Sequence, residues 1–152
     1  MATEVIDSNI QTSRFGDLEI DERLVYEFRD GIPGFEHLTK FVVVTLDEQD
    51  GISYLQSVEQ GDVSFIIVNP FEFFSNYSFD LPEQAIKELE IQGEEDVAVW
   101  TIVTVRDELE KATVNLIAPV VLNVRARLGK QVILVNRHYQ TRHSLFQPLE
   151  GV

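Results

Sequence analysis

The stretch "TVNLIAPVVLN", Thr113–Asn123, is apolar almost throughout, yet it contains Asn115, Pro119 and Asn123. Proline cannot donate to a sheet ladder, so Pro119 is expected to separate two strands, "ATVNLI" and "VVLNV". Asn115 and Asn123 lie an even number of residues apart, but the break at Pro119 means parity cannot assign both to one face. A buried, unpaired amide would cost about 1–3 kcal/mol, so each asparagine is expected to be hydrogen-bonded or exposed. The stretch reads as a bent strand pair.

Working outward, short apolar runs recur between turn residues, as in an all-β chain. "LEI" at 18–20 and "LVYEF" at 24–28 flank the acidic turn "DER". "FVVVTL" at 41–46 and "ISYLQSV" at 52–58 are joined by "DEQDG", and "VSFIIVN" at 63–69 follows the turn Gln60-Gly61-Asp62. "VAVWTIVTV" at 97–105 is rich in β-branched residues, which suit a pleated, half-buried surface. "VVLNVRA" and "QVILVNR" close the series, joined by a turn at Leu128-Gly129-Lys130. One helix interrupts the strands, at about residues 82–91. Asp80 is its expected N-cap, with Pro82 and Glu83 in the first turn, an apolar stripe of Leu81, Ala85, Ile86 and Leu89, and Gly93 as its stop. A shorter helical turn is expected within "NPFEFFSNY", 69–77. Many short strands with one short α-helix define a mainly β fold. The expectation is a small, closed or nearly closed antiparallel β-barrel or sandwich, barrel-like and forming a single domain over residues 1–152.

A chain of 152 residues can bury roughly 68–70% of its unfolded surface without staples. It contains no cysteine, which removes disulfides and thiolate chemistry together. No secretory signal is read at the start, and no apolar run approaches the ~20 residues that span a bilayer. A cytoplasmic location is therefore expected. The net charge is −14, and its distribution is uneven: residues 1–111 hold 25 of the 26 acidic side chains and 7 of the 12 basic ones. Such a chain repels nucleic acid and anionic membranes, because both need a basic patch. Its natural complement is a basic protein, steered in by opposite fields.

Catalysis has no specific support. His37, His138 and His143 are the three histidines, and the last two are five apart, off the spacing of a helical metal pair. "DEQDG" lacks the alternating oxygen ligands of a calcium loop. Neither a phosphate-cradling glycine loop nor a Gly-x-Ser-x-Gly elbow occurs. No cofactor or metal is expected, and the chain is read as a non-enzyme. Binding features are better defined. "DGIPGFEHL", 30–38, uses Gly31, Pro33 and Gly34 to fix a turn, which either presents Ile32 or Phe35 as a rigid anchor or folds Phe35 back as a plug. "NPFEFFSNY" places four aromatics within nine residues; most belong in the core, and an exposed one would be a contact candidate. Glu36 and Glu72 would supply charge beside them.

With "DGIPGFE", "SFIIVNP", "ATVNLIAPVVLN" and "YQTRHSL" in this order and at these intervals, the chain resembles the FliW flagellar assembly factor family of bacteria. The likeness runs from about Phe15 to Leu145. It implies a small β-barrel-like fold without enzymatic activity and two protein partners bound in alternation. These are cytoplasmic flagellin and CsrA, a basic, dimeric, RNA-binding translational repressor. It further implies that CsrA is antagonised noncompetitively, away from its RNA-gripping face, which relieves repression of flagellin translation. The alternatives are a generic acidic export chaperone and a small-ligand-binding β-barrel. The residues expected to bind protein are Ile32, Pro33, Phe35 and Glu36, followed by Asn115, Arg142 and His143.

Overall fold

The computed structural model describes residues 7–135 and 138–146. β1 (Asp7–Thr12) and β2 (Gly16–Asp21) form a separate antiparallel hairpin. The sheet that follows contains β3 (Tyr26–Glu27), β4 (Lys40–Asp47), β5 (Ile52–Ser57) and β6 (Ser64–Val68). Two short helices, α1 (Pro70–Phe73) and α2 (Glu83–Glu88), precede β7 (Val97–Thr104). The remaining strands are β8 (Thr113–Val114), β9 (Val120–Asn123), β10 (Leu128–Gln131) and β11 (His143–Ser144). Neighbours run in the order β7-β6-β5-β4-β3-β10-β9, and β9 then pairs with β7, closing a seven-stranded barrel. Every join is antiparallel except β3–β10, a parallel contact at Glu27 and Leu128. The mainly β, barrel-like expectation holds.

The segment 113–123 makes the closure. β7 pairs with β9 over Val97–Trp100 and with β8 over Val103–Thr104. From Trp100 to Val103 is three steps, but their partners Val120 and Val114 are six apart, so three extra residues bulge out around Pro119. Asn115 closes the bulge, its side-chain oxygen accepting from the Ala118 N–H at 3.1 Å. Pro119 therefore does separate two strands, although both lie along one neighbour.

All four residues of β9 are buried, because the closed barrel covers one face and the layer outside it covers the other. Val120 and Leu122 point inward with Phe28, Phe41, Leu55 and Ile67, and with Ala98, Trp100 and Ile102 packed against them. On β10 the inward position is Gly129, where a Cβ would come within 2.5 Å of the Phe28 ring. Val121 faces outward into a second cluster with Val103, Val114, Leu128, Ala85, Leu89 and Tyr77, where α2 and the chain after β10 cover the barrel wall.

Asn123 joins these layers. It is fully buried, and its Nδ2 donates to the carbonyls of Leu89 at 2.7 Å and Glu90 at 3.2 Å. Its Oδ1 accepts from the N–H groups of Arg125 and Ala126, both at 2.9 Å. Arg125 adds a bond from Nη2 to the Glu90 carbonyl and pairs with Asp96 at 3.2 Å.

Several boundaries move for reasons visible here. The β9–β10 turn lies at 124–127, not at Leu128-Gly129-Lys130, because Asn123 caps it and Arg127 takes the left-handed conformation (φ 59°). Gly129 serves close packing rather than a turn. The helix is shorter than 82–91, and Pro82, not Asp80, is its N-cap. It stops before Gly93 because Asn123 and Arg125 take the carbonyls of Leu89 and Glu90, with Glu90 itself left-handed (φ 56°). The strand expected over 131–137 ends at Gln131, although Val132 and Leu134 still donate to the carbonyls of Pro119 and Ile117; its last two residues lie outside the described residues. β1 and β11 carry too little apolar periodicity to have been anticipated.

Replacing Asn123 with alanine leaves the Leu89 carbonyl and the Arg125 and Ala126 N–H groups without this partner, while the Glu90 carbonyl keeps Arg125, so urea unfolding should show a loss of about 2–4 kcal/mol. The Asp96 carboxyl sits below its ordinary value of 3.8, first through the Gln92 N–H bonded to it and then through Arg125. A carboxyl with a lowered native pKa contributes stability above its unfolded value, lost as pH falls through the native one. Acid unfolding should therefore be less steep below about pH 4 in Asp96→Asn than in the parent, measured by circular dichroism.

Candidate functional site

The turn after β3 is built from its glycines. Gly31 is left-handed (φ 68°), and a Cβ there would lie 2.6 Å from the Glu36 Cα, so glycine is required by both conformation and space. Pro33 and Gly34 (φ 91°) occupy the central positions of a tight turn, closed by the Phe35 N–H donating to the Ile32 carbonyl at 2.6 Å. Proline followed by a left-handed glycine is the type II pattern. Glu36 reinforces it by accepting from the Gly34 N–H at 3.1 Å, and that bond holds its carboxyl below the ordinary value.

This geometry sorts the expected anchors. Ile32 is 2% exposed and belongs to the barrel core, so it is not a projecting anchor. Phe35 is half-buried, packed edge-on against Phe65 with ring centroids 5.3 Å apart. It folds back onto the barrel. Pro33, Gly34, Glu36 and His37 form the exposed tip.

Four of the seven expected residues meet in one place. Ile32, Pro33, Asn115 and Arg142 line a groove of about 410 Å³, completed by Phe65, Ile102, Thr104, Arg106, Gln131 and Thr141. Residues more than eighty positions apart converge because the bulge on 113–123 and the chain before β11 both border the Pro33–Gly34 turn. Arg106 and Gln131 were not among the expected residues; a lone arginine in the "VRDELEK" run has no local pattern to mark it.

His143 is elsewhere, despite adjoining Arg142. It lines a separate aromatic groove with Phe73, Phe74, Tyr77 and Tyr139. Its Nε2 accepts from the Gln140 N–H at 2.8 Å, and burial lowers its pKa, so the ring is neutral at pH 7. Tyr139 anchors the chain before β11, its hydroxyl bonded to the Ser78 backbone. In "NPFEFFSNY", Asn69 caps α1 through the Phe71 N–H, Tyr77 is buried, and Phe71 is the exposed ring at 48%. Among the described residues, no three His, Asp or Glu side chains are placed to hold a metal.

Because Phe35 packs on Phe65, Phe35→Ala should lower the unfolding free energy by about 1–3 kcal/mol rather than leave the melting curve unchanged. Thermal melts followed by near-ultraviolet circular dichroism test this.

The chain matches the family model described as FliW protein over residues 9–145. It is 44% identical over 148 residues to the flagellar assembly factor FliW of Caldicellulosiruptor saccharolyticus, covering 97% of each chain. It is also 44% identical over 137 residues to that of Geobacillus thermodenitrificans, covering 90% of this chain and 94% of the relative. A crystal structure of the flagellar assembly factor FliW superposes with a TM-score of 0.87 at 42% identity, covering 93% of this chain and 99% of that one. The same pieces that build the turn and the bulge thus sit within a match over nearly the whole chain, which belongs to the FliW family.

Proposed function

We propose that this flagellar assembly factor is a cytoplasmic, non-enzymatic regulator that binds flagellin and CsrA in alternation. When flagellin accumulates it occupies this chain, and CsrA is left free to repress flagellin translation. When flagellin is exported, the chain returns to CsrA and antagonises it noncompetitively.

The observation that carries this reading is the acidic exterior. Asp17, Glu19 and Glu22 are displayed at the β1–β2 hairpin and just beyond it, and Asp47, Glu48 and Asp50 on the β4–β5 turn; all are exposed. A basic, RNA-binding protein is the complement of such a surface. Bound beside an RNA path, it would also repel phosphate, within the ~8 Å that screening allows at physiological salt. Electrostatic exclusion of RNA is therefore part of the proposed antagonism. The barrel interior favours a binding role at the exterior: Phe28, Phe41, Leu55, Ile67 and Leu122 fill it.

With purified components, flagellin should displace the chain from CsrA on a sizing column, and the chain should release RNA from CsrA without occupying the RNA site. A stable three-protein complex, or recovery of neither partner from a motile bacterium's lysate, would sink the reading. The electrostatic part is tested with Asp47→Asn/Glu48→Gln/Asp50→Asn. The amides keep an oxygen that accepts from the Gln49 and Ile52 N–H groups, as the Asp47 and Asp50 carboxylates do. This variant should bind CsrA yet displace RNA less well, most clearly at low salt; equal displacement at every salt concentration would remove the idea.

A further inference from the structure

We propose that the groove between the Pro33–Gly34 turn and the Asn115 bulge receives an acidic, apolar peptide segment of a partner protein, one that sets an Asp or Glu carboxylate beside a leucine-like side chain. This goes beyond the alternating-partner reading, because it assigns a site and its ligand chemistry without depending on either named partner.

The first support is a pair of arginines without an internal partner. Among the described residues, Arg23, Arg29 and Arg125 pair with carboxylates, and Arg14 and Arg127 lie over the rings of Tyr54 and Tyr26. Arg106 and Arg142 line one groove together, and among the described residues neither joins an ion pair. Arg106 stays unpaired even though Asp107 and Glu108 follow it in the chain. Two arginines lining one groove, without an internal counter-ion, match a carboxylate from outside, which arginine takes in bidentate form.

The second support is the polar and apolar layout. Asn115 commits its oxygen to the Ala118 N–H, which leaves its Nδ2 as the group able to donate into the groove. Ile32, Phe65 and Ile102 give the same groove apolar lining. A small inorganic anion would satisfy the arginines and leave that lining wet. Nucleic acid would have to approach through the field of a −14 chain. A lysine-rich peptide would meet the arginines as like charge. An acidic peptide is also repelled by the chain as a whole, but screening over ~8 Å lets the nearest charges dominate at contact.

The experiment uses the full chain, labelled with ¹⁵N, and a capped synthetic peptide of alternating leucine and glutamate. Its spectra should shift at the Asn115 side-chain amide and at Thr104 and Thr141. Affinity should fall about tenfold or more when glutamine replaces glutamate in the peptide, and again in Arg106→Gln/Arg142→Gln. Arg29→Gln, outside the groove, should leave it unchanged. Arg106→Glu/Arg142→Glu should reverse the preference toward a leucine–lysine peptide. The same spectra show that each variant is folded. Equal binding of the glutamine peptide, undiminished binding by the double glutamine variant, shifts gathered on another face, or no binding at millimolar peptide would each overturn the proposal.

Discussion

The side-chain amide of Asn123 sits where three parts of the chain meet: the strand that closes the barrel, the turn that follows it, and the C-terminal end of α2. Each of its bonds satisfies a backbone group that secondary structure leaves over. A helix ends with carbonyls that have no intrahelical partner, and a tight turn exposes N–H groups at its start. In a buried location neither can turn to water, so one fully buried amide settles both. Barrel closure, turn position and helix length are thereby coupled. The ion pair of Arg125 with Asp96 extends the same junction to the start of β7, and the Val124 N–H bonded to the Asp96 carbonyl fastens it further.

The binding features grow out of that frame. Closure of β9 and β8 on one strand leaves three surplus residues, and the resulting bulge forms one wall of the arginine groove. The opposite wall is the Pro33–Gly34 turn, rigid because its glycines are required and its hydrogen bonds are internal. Both walls are held by the barrel, so a ligand entering the groove has little backbone to order, a condition that favours affinity. The acidic hairpin and the β4–β5 turn lie on other elements. In the proposed reading, a basic protein and an acidic segment would therefore take different surfaces of this negatively charged chain.

Much of the fold was legible in the sequence because its strands obey short-range rules. "FVVVTL" and "ISYLQSV" became β4 and β5 with "DEQDG" as their turn, since period-two apolarity and Asp-Gly chemistry are local. Pro119 ends up between β8 and β9 for the same local reason, since it has no N–H to give a ladder. The candidate site was only partly legible. Pro33, Asn115 and Arg142 were singled out, and the structure gathers them, but their meeting with Arg106 and Gln131 depends on contacts across the chain. His143 stands one residue from Arg142 and faces a different groove, which no spacing argument could separate.

Sequence by itself determined the fold class, the charge imbalance and the rigid glycine–proline turn, because composition, alternation and φ restriction act within a few residues. Tertiary structure decided that Ile32 is core, that Phe35 packs on Phe65, that Gly129 makes room for Phe28, and that α2 stops at Glu88 rather than running on toward Gly93. Those outcomes rest on which distant atoms compete for the same space or the same hydrogen bond. Asn123 carries both lessons: its residue type required that a buried amide find partners, and only barrel closure chose the carbonyls of Leu89 and Glu90.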